Sequence, residues 1–329
     1  MVASGHLDAA TFLAHLKLSR LLFTITLALL AVWLLGYLLY VMVIVRPDRL
    51  FAYIGRDLVT NWATPERLTG VAIIYLFLPL CTTAFPTVKA MVPQVNPYSW
   101  DETFWLWDRV FHGGVDPWRL LHPILGSPAI TSFVDWSYGS WYIMIKLMIL
   151  WQAFSLRNPR LRLQFFYTLL LLWILLGNVL AIIWSSAGPV YFGRVTGLAD
   201  PYGPLLTYLE EVNRELPLFV LKAHEVMWQN YVTGSGLGGG ISAMPSMHVA
   251  IVALFAIVGW RVRPVVGVLL TLYAALILIG SVHLAWHYAV DGYVSIVLTW
   301  AIWWAVGKLQ DLSRRAAQPD SQAAEEGSS

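Results

Sequence analysis

Two short motifs near the C-terminal end of the chain carry the residues best suited to chemistry. They are Pro245-Ser246-Met247-His248 and His283-Leu284-Ala285-Trp286-His287-Tyr288-Ala289-Val290-Asp291. His287 and Asp291 are spaced i,i+4, so on one helix they share a face. The carboxylate can then hold the imidazole in one tautomer while the other ring nitrogen attacks phosphorus. His248, which faces that pair across one hairpin of predicted membrane helices, is placed to supply the proton, which makes phosphoryl transfer the leading chemistry. His283 shares the face of His287 if that helix begins early. Otherwise it stands behind the site as a supporting residue, with Ser281 and Tyr288.

The chain approaches the first motif through Gly234-Ser235-Gly236-Leu237-Gly238-Gly239-Gly240 and Ile241 to Met244. Proline at 245 suits the first turn of a helix, where its missing N–H is not needed. Free N–H groups at a helix N-terminus favour a phosphate, and glycines let backbone come close to its oxygens. Gly240 and the Ser246 hydroxyl are therefore candidate phosphate contacts. Arg194, in the turn-prone stretch from Ala187 to Arg194, is a candidate phosphate clamp. The plainer readings are a flexible hinge for the glycines and a structural ion pair for Arg194.

The elements that position these motifs lie in a membrane. Hydrophobic residues make up 58% of the 329 and charged residues 12%, against roughly 25% charged in ordinary soluble domains. Apolar windows long enough to cross a bilayer as helices fall near 20–45, 69–91, 133–154, 163–186, 245–261, 264–284 and 286–307. The expected fold is all-α, a polytopic membrane bundle of about six or seven transmembrane helices with interfacial helices on the outer face. Residues 1–130 are expected to form N-terminal membrane helices and an interfacial cap, 131–308 the catalytic membrane domain, and 309–329 a disordered cytoplasmic tail. The first apolar run reads as a membrane helix or signal anchor. Cys81 is the only cysteine, so no internal disulfide forms. The net charge of +2 gives no reason to expect a nucleic-acid partner.

Orientation follows from Lys and Arg in short links. Arg157, Arg160 and Arg162, then Arg261 and Arg263, then Lys308, Arg314 and Arg315 mark three links as cytoplasmic. His248, Arg194 and the stretch from Ser281 to His287 alternate with them and open on the opposite side. The N-terminal half is ambiguous, because Arg46, Arg49, Arg56 and Arg67 compete with Lys17 and Arg20. Two outer segments are more than connectors. Residues 93–128 place Trp100, Trp105, Trp107 and Trp118 among Asp101, Glu102, Asp108 and Arg109, which reads as interfacial helices in an aromatic belt capping the site. Residues 188–244 carry Glu210, Glu211, Arg214, Glu215, Lys222 and Glu225, an amphipathic solvated face on which His224 reads as a surface histidine.

The paired motifs resemble the second and third signatures of the type 2 phosphatidic acid phosphatase superfamily, and most closely its inositol phosphorylceramide synthase-like branch. The resemblance spans roughly residues 130–308. It implies that His287 is a nucleophile forming a phosphohistidine, Asp291 its orienting partner and His248 the general acid, with no metal and no cofactor. Hydrolytic members usually carry an arginine where this chain has Ser281, and their lysine- and arginine-containing first motif has no match near Lys146 or Arg157. These departures favour a lipid phosphotransferase over a phosphatidic acid phosphatase-type hydrolase using water. The implied partners are membrane lipids: a phospholipid donor and a lipid acceptor such as ceramide.

Two rival chemistries use the same residues. His283, His287, Asp291 and His248 form a conceivable zinc ligand set, although the His-Glu-x-x-His pattern of helical zinc hydrolases is absent. A transporter would use intramembrane polar groups, of which Lys146 is the one example. The expected location is a multi-pass protein of a bacterial inner membrane, with the site toward the periplasm.

Overall fold

A computed structural model of the chain describes residues 24, 27, 28, 31–65, 67–70, 72, 74, 85–155, 157–233 and 240–317. Cys81, Gly234 to Gly239, and the tail from 318 onward lie outside the described residues, as do Lys17 and Arg20. The described residues form helices and no strands. Three helices are long and apolar enough to cross a membrane, Pro159–Ile183, Pro264–His283 and Ala289–Ala316, and Ala31–Val45 and Met247–Val262 are shorter apolar helices. This is the all-α membrane bundle that the apolar windows predict.

The chain divides into two compact units. The first comprises Met1–Met91, Tyr142–Arg157 and Glu225–Ile241. Within it the Tyr37 hydroxyl donates to Asp57, which also accepts from the Trp62 indole at 3.1 Å. Lys146 is buried there.

The second unit comprises Val92–Trp141, Asn158–His224 and Ser242–Ser329, and contains both motifs. Its helices are α1 (Asp101–Phe111), α2 (Pro117–Leu125), α3 (Pro128–Gly139), α4 (Pro159–Ile183), α5 (Gly203–Glu215), the first part of α6 (Phe219–Thr233), α7 (Met247–Val262), α8 (Pro264–His283) and α9 (Ala289–Ala317). Helix α7 packs against α8, α9 and α4 and is the centre of the unit. It is apolar on every side, with Val249 to Phe255 all buried, as a helix surrounded by others must be. Pro264 opens α8 at a position where proline is pre-organised for a helix. Asn158 caps α4 by accepting from the Leu161 N–H at 3.0 Å.

Two expectations change. The span at 133–154 is two helices, because the chain breaks after Gly139 at Ser140, whose hydroxyl turns back to the Ser137 carbonyl at 2.6 Å. Gly/Ser pairs are a recognised place for such a break. The polar tail is helical for longer than its composition suggests: α9 continues to Ala317, through Arg314 and Arg315. Leu, Gln, Arg and Ala in that stretch are strong helix formers that extend an existing helix cheaply.

Candidate active site

The second motif is a tight turn joining two helices. Helix α8 ends at His283, and the Ser281 carbonyl accepts from the N–H groups of both Trp286 and His287, at 2.9 and 3.1 Å. Ala285 sits in the left-handed region at φ 58°. Helix α9 starts only at Ala289, so Tyr288 occupies the cap position and Asp291 the third helical residue. The Asp291 Oδ2 reaches back to accept from the Tyr288 N–H at 3.1 Å, half of a capping box. The same oxygen lies 3.2 Å from His287 Nδ1. His287 and Asp291 therefore meet because a cap reaches backward, and not because they share a helical face as the spacing predicts. If Nδ1 carries the proton toward Asp291, Nε2 keeps its lone pair for attack.

The first motif delivers His248 to the same place. Ser246 is the cap of α7, its hydroxyl accepting from the Val249 N–H at 3.4 Å, so Pro245 stands before the helix and not in its first turn. The Ser246 N–H points toward the Asp291 carbonyl at 3.5 Å, which ties the two helix starts together. His248 lies in the first turn of α7, with its ring 6.3 Å from that of His287, centroid to centroid. Tyr138 stacks on His248 at 4.8 Å and Trp141 lies tilted at 4.4 Å, which fixes the plane of its ring.

Two aspartates of α1 hold this arrangement from outside. Asp108 accepts from the N–H groups of Ala289 and Val290 at 2.9 and 2.8 Å, doing for α9 what a capping side chain on Tyr288 cannot. Asp101 accepts from Ser186 Oγ, the Ala187 and Gly188 N–H groups and the Tyr288 hydroxyl, all at 2.8 to 2.9 Å. It thereby locks the 185–190 loop onto the residue next to His287. Both carboxylates are about 1% exposed. Burial pushes Asp108 up to about 7 against the pull of its two N–H donors, and raises Asp101 against its four donors.

The remaining sequence candidates are more scattered. Arg194 is exposed on the short helix Phe192–Thr196. His283 turns away from His287, with Nε2 2.9 Å from Thr131 Oγ1, which in turn meets the Tyr208 hydroxyl at 2.7 Å. The turn between α8 and α9 breaks the helical phase that would have put it beside His287. Ser281 acts through its carbonyl, while its hydroxyl donates to the Leu278 carbonyl at 2.7 Å. Gly240 belongs to the first unit, where the backbone of Lys89 and Ala90 fills the place of its missing side chain. No group of three or more His, Cys, Asp or Glu side chains that could hold a metal ion occurs among the described residues.

The sequence model of the PAP2 superfamily matches residues 102–305. The chain belongs to the PAP2 superfamily. Membership supports a phosphatase or phosphotransferase type of activity on lipids. No curated protein and no solved structure matches the chain. The superfamily match begins inside α1, well before the two motifs, and so includes the helix that carries Asp108.

Several residues of this candidate site escape a reading of the sequence. Asp101, Phe104 and Asp108 are the buried residues of α1 and recur at i, i+3 and i+7. Two acids on the inward stripe of an amphipathic helix are the available signal, hidden by the tryptophans around them. His224 is buried at 4% exposure and is not the surface histidine expected, because it shares the inward face of α6 with Val220. Its ring meets that of Trp286 edge-on at 4.3 Å, bracing the residue before His287. Burial, with the Arg194 charge added, pushes His224 down to about 3, so it stays neutral there.

Proposed function

We propose that the protein is a membrane lipid phosphotransferase, similar to the inositol phosphorylceramide synthase-like branch, acting through a phosphohistidine on His287. The observation that carries the reading is the His287 ring held at Nδ1 by buried Asp291, with the His248 ring as its neighbour. In the first step His287 Nε2 attacks the phosphorus of a phospholipid head group. The bond from phosphorus to the diacylglycerol oxygen, or that of another lipid alcohol, breaks, and protonated His248 gives the departing oxygen its proton. In the second step neutral His248 takes the proton from an acceptor hydroxyl. That oxygen attacks phosphorus and the P–N bond to His287 breaks.

Arg194 and Ser246 remain the proposed phosphate contacts, with the Ser246 hydroxyl shared between capping α7 and donating to substrate. Asp101, Asp108 and Ser281 are positioning residues, since each acts on His287 through the turn that precedes α9. Ceramide or a similar lipid alcohol is the proposed acceptor, because a site enclosed by Tyr138, Trp141 and Trp286 excludes water. The proposed setting is a bacterial inner membrane with this site on the periplasmic face, as the basic links at the other end of α4, α7 and α9 suggest. The alternative is hydrolysis, with water as the second acceptor.

Lipid profiling of cells expressing the wild type or His287→Ala tests the reading. Loss of one phospholipid class with gain of a phosphorylated acceptor lipid is the expected outcome. Rapid release of phosphate from phosphatidic acid with no lipid acceptor ever labelled would assign the protein to the hydrolases.

A further inference from the structure

A second candidate site lies at the other end of the bundle. A cavity of about 530 Å³ opens between the start of α4, the end of α7 and the last turns of α9. Helix α9 leaves the turn at Ala289 and lines the cavity from Trp300 onward, with its basic residue there, Lys308, about 28 Å further on at the helical rise. That length is close to the roughly 30 Å of a bilayer's hydrocarbon core. The cavity and His287 therefore sit at opposite membrane surfaces.

Its walls have two characters. One is basic: Arg160, Arg261 and Lys308 line it with a single carboxylate, Asp311. Arg160 and Asp311 pair with each other at 2.6 Å. Among the described residues Arg261 and Lys308 have no ion-pair partner, so the cavity keeps a surplus of positive charge. The other wall is aromatic. Trp303 is buried behind it, while Trp300 and Trp304 are 61% and 55% exposed, and the Lys308 ammonium lies 5.6 Å from the Trp304 ring centre. The cavity is also firmly built. The Gln164 amide donates to the Trp303 carbonyl at 2.9 Å, and a side chain at Gly307 would run into that amide.

We infer that this cavity binds the phosphate of an anionic membrane lipid, with Arg261 and Lys308 as its cations and the exposed indoles against its glycerol and upper acyl chains. The charge surplus selects for an anion, and the open indole faces at the membrane surface select for a lipid over a free ion. Nothing in this site takes part in the proposed transfer chemistry.

The test is native mass spectrometry of the full-length protein released from vesicles of phosphatidylglycerol and phosphatidylcholine. The wild type and His287→Ala are expected to retain phosphatidylglycerol preferentially. Each of Arg261→Gln and Lys308→Gln, both exposed positions, is expected to reduce that retention about fivefold. Millimolar inorganic phosphate leaves retention unchanged if the lipid is the ligand. Retention of wild-type protein falling with added salt supports the site independently of any variant's folding. Equal retention of the two lipids, unchanged retention in both variants, or displacement by inorganic phosphate overturns the proposal. So does retention that appears only after removal of residues 318–329, because Asp320, Glu325 and Glu326 would then be the occupant.

Discussion

His287 is one imidazole among eight histidines, and what separates it from the others is the company of its two ring nitrogens. Nδ1 faces a fully buried carboxylate, whereas His283 Nε2 faces a threonine hydroxyl. Asp291→Asn keeps the shape but offers His287 an amide that can hold either tautomer. Turnover is expected to fall about 10²- to 10⁴-fold with little change in KM, read from initial rates across substrate concentration. His283→Gln, which leaves His287 and its partner in place, is expected to retain most of that turnover. The cluster was partly legible: the types His248, His287 and Asp291 stand out in the sequence. The capping geometry that joins the last two was not, because an i,i+4 spacing looks the same whether or not a helix has begun between them.

At the scale of elements, the start of α9 is held by residues far away in sequence. Asp108→Asn keeps one acceptor for the Ala289 and Val290 N–H groups and sets an amide donor against the other. The expected loss is about 1–3 kcal/mol of stability, measured as a lowered unfolding midpoint in detergent. The same carboxyl makes stability depend on pH. Its folded value of about 7 lies above the ordinary 3.8, so the folded protein binds the proton more tightly. That contribution is complete below about pH 4 and is lost as pH rises through about 7. The unfolding midpoint of the wild type, taken relative to that of Asp108→Asn at each pH, is therefore expected to drop between pH 5 and pH 8. Gly188 is the hinge of the neighbouring loop, at φ +97° and ψ 168°, a region reserved for glycine. Gly188→Ala also drives its Cβ to 2.8 Å from the Trp286 carbonyl. Activity is expected to fall together with stability, by about 1–3 kcal/mol in the latter. The i, i+7 spacing of Asp101 and Asp108 did not by itself announce these staples, because carboxylates beside tryptophans fit a membrane surface equally well.

The whole molecule is a membrane bundle whose long spans were legible, since α4, α8 and α9 are apolar windows bounded by Pro159, Pro264 and the turn between α8 and α9. The break at Ser140 was not, since hydrophobicity runs through it without a change. The proposed transfer needs only the protein's own side chains, so a chelator is expected to leave turnover unchanged. Loss of activity that returns on adding zinc would favour the rival ligand set. The most direct test is rapid quenching of purified protein mixed with a phospholipid whose head-group phosphorus is labelled. Within the first turnover the label is expected on His287, stable to alkali and labile to acid, and absent from His287→Ala. Steady turnover with no labelled protein at any time would contradict a phosphohistidine on His287.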